Sequence, residues 1–109
     1  MAKVYDISNK ITNERPVLKL SEDKVYEIDD SKNTMLLLNQ KIKNEDMEDL
    51  SVLDEIEKVV LGEEAVKEID EMKLSTESHQ NIIIAIMAAA TGEDFEVAEA
   101  RFRKAAEKL

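Results

Sequence analysis

From Ile82 to Ala90 the chain reads Ile-Ile-Ile-Ala-Ile-Met-Ala-Ala-Ala, nine residues without a polar side chain. Leu74-Ser75-Thr76-Glu77 before it is a helix-start signal, and Thr91-Gly92 after it is a stop. The pattern predicts a helix over 75–91, about 25 Å long at 1.5 Å per residue. A helix that is apolar all round must be covered all round, so the remaining elements read as its wrapping. Ahead of it, Met35, Leu38 and Ile42 recur at helical spacing after Asp30-Ser31, with Leu36 and Leu37 widening the stripe. After the polar break Lys43–Asp46, Leu50, Leu53, Ile56 and Val60 repeat behind a cap at Asp49 or Ser51. Val52, Val59 and Leu61 extend that side, and Asp54, Glu55, Glu57 and Lys58 form the expected wet face. Gly62 ends this helix, and Glu63-Glu64 open another with Ala65, Val66, Ile69 and Met72 as its stripe. Glu93-Asp94 begin a last helix carrying Phe95, Ala98, Phe102, Ala105 and Leu109.

The first thirty residues follow a different period. Lys3-Val4-Tyr5-Asp6-Ile7 returns almost unchanged as Lys24-Val25-Tyr26-Glu27-Ile28, and Pro16–Leu20 lies between them. Alternation places Tyr5 with Ile7, Leu18 with Leu20 and Tyr26 with Ile28. Ser21–Lys24 suits a tight turn, and Pro16 the start of a strand. About three short antiparallel strands are therefore expected, too few to stand alone and so laid on the helices. The expected architecture is α+β, mainly α. One domain spans 1–109, with a strand subregion at 1–30 and about five helices at 31–109.

Charge changes the picture in one place. The net charge is −10, and residues 45–71 hold twelve acidic and two basic residues, which accounts for the whole imbalance. Such a field repels nucleic-acid phosphates and anionic lipids, so neither nucleic acid nor a membrane is an expected partner. A spanning helix needs roughly 20 apolar residues, and the run here is flanked by polar ones. No secretory leader is evident near Met1, so a cytoplasmic protein is expected. With no cysteine, disulfides and thiolate metal sites are excluded.

Candidate chemistry is sparse. The one histidine, His79, has Ser75 at i−4 and Ile83 at i+4, so no metal pair forms on its helix, and it reads as a partly exposed surface residue. Ser78 and His79 point about 100° apart and do not make a nucleophile–base pair. The acidic stretch lacks the alternating oxygens and central glycine of a calcium loop. Gly62 and Gly92 stand alone, so no phosphate loop exists, and the four aromatics do not interleave with basic residues. No catalytic, cofactor or metal residue is expected, and the protein reads as a non-enzyme. The methionines Met72 and Met87 fill core gaps or suit a surface that accepts varied apolar partners.

The C-terminal half nevertheless carries a recognisable order. Leu61-Gly62-Glu63-Glu64-Ala65, then Met72-Lys73-Leu74-Ser75, an apolar helix ending in Thr91-Gly92-Glu93, and Ala100-Arg101-Phe102 follow one another over residues 50–105. This order resembles the small tail assembly chaperones of long-tailed phages and prophages of Gram-positive bacteria. The resemblance implies a protein that coats the tape measure protein, helps tail-tube subunits assemble in the host cytoplasm, and is absent from the finished virion. It supplies no binding residue. Periodicity alone suggests an apolar groove between the central and last helices, lined by Ile83, Met87, Phe102, Ala106 and Leu109. Two other readings compete. One is an acidic, DNA-mimicking inhibitor of a nucleic-acid enzyme acting through Glu55, Glu57, Glu64 and Glu68; the other is a structural subunit that self-associates as a homo-oligomer.

Overall fold

A computed structural model describes residues 2–106. Val17–Ser21 (β1) and Lys24–Glu27 (β2) form an antiparallel hairpin, with Leu18 opposite Tyr26 and Lys19 opposite Val25. The register shifts between Lys19 and Ser21, which kinks the strand just before the Glu22-Asp23 turn. Ile28 donates its N–H to the Pro16 carbonyl at 2.9 Å, so the ladder continues past both strands. Five helices follow: α1 (Lys32–Asn44), α2 (Leu50–Leu61), α3 (Glu63–Glu71), α4 (Thr76–Thr91) and α5 (Phe95–Ala106). The mainly helical α+β class is as expected.

Local chemistry sets the helix ends. Ser75 caps α4 by accepting the Ser78 N–H at 3.2 Å, and Asp49 caps α2 by accepting that of Ser51 at 2.9 Å. Gly92 ends α4 in the left-handed region at φ +74°, where a Cβ would be strained. The start of α1 is held by Asp29, beyond the expected Asp30-Ser31 pair. Its carboxylate accepts the Ser31 N–H at 3.0 Å and the Thr34 hydroxyl at 2.8 Å, and these bonds lower its pKa.

The core gathers on α4, which packs against α2, α5 and β1. Ile82, Ile83, Ile84, Ile86, Met87 and Ala88 are buried, whereas Ala85, Ala89 and Ala90 are half-buried, so the coat is nearly but not fully closed. Ala98 is fully buried where α5 meets α4; its single methyl lets the two helices approach closely. Full burial of each isoleucine stabilises the fold by roughly 1.5–3 kcal/mol.

Four expectations are corrected. The described residues contain two strands, not three: Lys3–Ile7 is irregular and exposed, and Ser8–Lys10 forms a 3-10 turn. Asp6 accepts both the backbone N–H and the hydroxyl of Ser8, at 3.0 and 2.7 Å, and these local bonds compete with an extended ladder. Leu36 and Leu37 lie on the exposed side of α1. Leu50, expected on the stripe of α2, is 55% exposed. Glu57, assigned to the wet face of α2, is 1% exposed. Its position explains this, since 53, 57 and 60 share one helical face whatever residue stands at 57.

Candidate functional site

Two features stand out among the described residues: an apolar groove beside the hairpin and a buried acid–imidazole pair. The groove has a volume of about 480 Å³ and runs between β1, α4 and the start of α5. Leu18, Leu20, Met72, Leu74, Ile82, Ala85 and Phe95 line it, together with the polar Lys19, Ser21, Ser78 and Asn81. Its geometry follows from the sequence. Alternation turns Leu18 and Leu20 toward α4, and the small side chain of Ala85 leaves open space between bulkier neighbours. Phe95, at the first position of α5, remains 39% exposed at the rim.

β1 contributes more than side chains. The Pro16–Ile28 bond marks that pair as hydrogen-bonded, so by alternation Leu18 and Tyr26 also bond each other. Val17 and Lys19 therefore direct their N–H and C=O groups away from β2, and no backbone group among the described residues pairs with them. An unpaired edge next to an apolar trough can accept an extended peptide through main-chain bonds and alternate side chains.

The groove lies elsewhere than the periodicity suggested. Ile83, Met87 and Phe102 are 0%, 4% and 3% exposed, because α4 and α5 close on each other along that seam. Among the described residues these three belong to the core. Met87 also borders a smaller hollow of about 160 Å³ shared with Leu38 and Ile42 of α1. Ala106 ends α5 with its side chain undescribed, and Leu109 lies outside the described residues.

The second feature joins α2 to α4. His79 Nδ1 lies 2.8 Å from Glu57 Oε2, with the histidine side chain 21% exposed, and Glu57 Oε1 has no hydrogen-bond partner among the described residues. Burial raises the Glu57 pKa, and the His79 hydrogen bond opposes that rise without cancelling it. The pair borders a cleft of about 260 Å³ with Asp54, Asp70, Leu74 and Thr76. His79 is partly exposed, as expected, and is in addition tied to the buried Glu57. Sequence spacing could not reveal a contact 22 residues apart.

This pair lacks a reactive partner among the described residues. Ser75 and Ser78 share a 3.1 Å hydrogen bond at the α4 cap, and neither bonds His79. No group of three or more His, Cys, Asp or Glu among the described residues could hold a metal ion. Of the acidic positions Glu57 is buried, whereas Glu55, Glu64 and Glu68 are exposed. Glu55 pairs with Lys41, and Glu68 accepts the Tyr26 hydroxyl at 3.0 Å and lies 3.8 Å from Lys24. Among the described residues, no helix is long and apolar enough to cross a membrane.

The fold and groove together define a small, mainly helical α+β domain with an open strand edge over an apolar trough. Comparison with protein-family models, with curated proteins and with solved structures gives no match.

Proposed function

We propose that this protein is a non-catalytic tail assembly chaperone, which shields apolar segments of a tape measure protein while tail-tube subunits assemble in the host cytoplasm. One observation carries the reading: an apolar trough of about 480 Å³ stays open on a domain already holding a well-filled core. A small chain with charge −10 that leaves such a trough open is suited to holding another chain's apolar surface in solution. The order of caps and apolar positions from Leu61 to Phe102 supports the same family. The client is a long helical protein with an apolar stripe, and it enters at the β1–α4 side, away from the closed α4–α5 seam. The acidic-inhibitor reading draws less support, because Glu57 is buried and the exposed Glu55 and Glu68 already have partners in Lys41, and in Tyr26 and Lys24.

The test is co-expression with a tape measure protein that is insoluble alone. The proposal expects the client in the soluble fraction as a complex, and roughly a tenfold loss of that complex with Ala85→Arg, which fills the trough from a half-buried position. A client that stays insoluble with and without this protein defeats the proposal.

A further inference from the structure

We infer that the open edge of β1 is completed by residues 3–7 of a second copy of this chain, which adds a strand and lays Tyr5 and Ile7 into the groove. Three independent observations converge on that occupant. First, residues 2–15 are exposed throughout, with Val4 at 88%, Tyr5 at 77% and Ile7 at 54%, so the segment offers apolar side chains that nothing in its own chain covers. Second, Lys3–Ile7 nearly repeats Lys24–Ile28, whose Tyr26 is half-buried and whose Ile28 is 1% exposed. The pattern that fits one side of β1 is thus present a second time and unused. Third, Val17 and Lys19 face outward with unpaired backbone groups beside a trough lined by Leu20, Leu74, Ile82 and Phe95.

The geometry favours a second copy over the chain's own segment. The segment enters β1 from the β2 side, where Arg15 lies 3.8 Å from Asp29 and Pro16 accepts the Ile28 N–H. Within its own chain the segment does not return to the opposite edge, and residues 2–15 stay exposed. The chain is instead elongated, 59 Å in its longest dimension, with a radius of gyration of 15.8 Å. A compact chain of this length has a radius of about 13 Å. Exchange of the segment is reciprocal, so the assembly closes as a twofold dimer. A client would have to displace the strand, so client binding and self-association compete for one groove; that consequence alone rests on the client reading.

Sedimentation equilibrium of the full chain, with no client present, tests the inference independently of the chaperone proposal. The expected mass is twice the 12.4 kDa of one chain. Two variants should each weaken the dimer at least roughly tenfold with unchanged helical circular dichroism: Tyr5→Asp with Ile7→Asp, and Lys19→Pro, which removes an outward N–H and spares the β2 ladder. Should Lys19→Pro unfold the hairpin, the Tyr5/Ile7 variant decides, since both side chains lie outside the core. Oxidising a mixture of Tyr5→Cys and Ala85→Cys chains should link two copies, which the absence of native cysteine makes easy to read. A single-chain mass up to about 100 μM, a dimer indifferent to both variants, or a disulfide formed within one Tyr5→Cys/Ala85→Cys chain each overturns the inference.

Discussion

Lys3–Ile7 and Lys24–Ile28 differ only by Asp for Glu, yet one is an exposed irregular segment and the other contains a core-bearing strand. Their neighbours make the difference. Lys24–Ile28 is joined to β1 by a two-residue turn, and the next residue, Asp29, donates its N–H to the Val60 carbonyl at 3.0 Å. The pentapeptide is therefore held at both ends before its side chains are counted. Lys3–Ile7 is separated from β1 by residues 8–16 with no tight turn to fix a pairing, and Ser8 draws Asp6 into a local turn. Five residues of β-type pattern are a half-buried surface waiting for a partner, and strand identity belongs to the pair.

Matched substitutions sharpen this comparison, beginning with the largest effect. Ile28→Ala should cost roughly 2–5 kcal/mol in urea unfolding, as expected for a fully enclosed isoleucine. Ile7→Ala, measured in dilute protein, should stay within about 0.5 kcal/mol of the parent, as expected for an exposed site. Equal losses at the two positions would dissolve the distinction. Next, Asp29→Ala should cost about 1–2 kcal/mol through loss of the bonds that start α1, whereas Asp6→Ala should leave the helical body unaffected.

The same contrast of one residue type in two settings appears within α2. Glu55 reaches Lys41 at the surface, and Glu57 is enclosed with a raised pKa. A carboxyl whose folded pKa lies above its unfolded value, roughly 4.3, favours the fold while protonated and loses that advantage as pH rises through the folded pKa. Glu57→Gln should therefore gain stability relative to the parent between pH 4 and pH 7 in urea titrations, whereas Glu55→Gln should not. Asp29 has the opposite sign. Its lowered pKa gives stability present above the usual aspartate value and lost as pH falls through the folded one. The smallest effect is expected from Tyr26→Phe, a few tenths to about 1 kcal/mol for the hydroxyl bond to Glu68, with no change for Tyr5→Phe.

Helices were far more legible in the sequence than the site. Ser75, Asp49, Gly62 and Gly92 mark helix ends by local hydrogen bonding and backbone freedom, and local rules suffice to read them. Glu57 was misplaced because its charge outweighed its position on the stripe shared by Leu53 and Val60. Its contact with His79 depends on how α2 and α4 cross, which no local pattern encodes. Periodicity points to a groove along Ile83, Met87 and Phe102, and these three are buried. Periodicity shows that α4 is apolar all round, but which face stays uncovered depends on Ala98 lying where α5 meets α4 and on the short hairpin leaving Ala85 half-buried.

The most direct test of the docking edge is amide hydrogen exchange at Val17 and Lys19, followed by NMR across a range of protein concentrations. Protection that rises with concentration, while Leu18 stays protected throughout, is the predicted result. Exchange at Val17 and Lys19 that is equally fast, or equally slow, at every concentration would contradict the account.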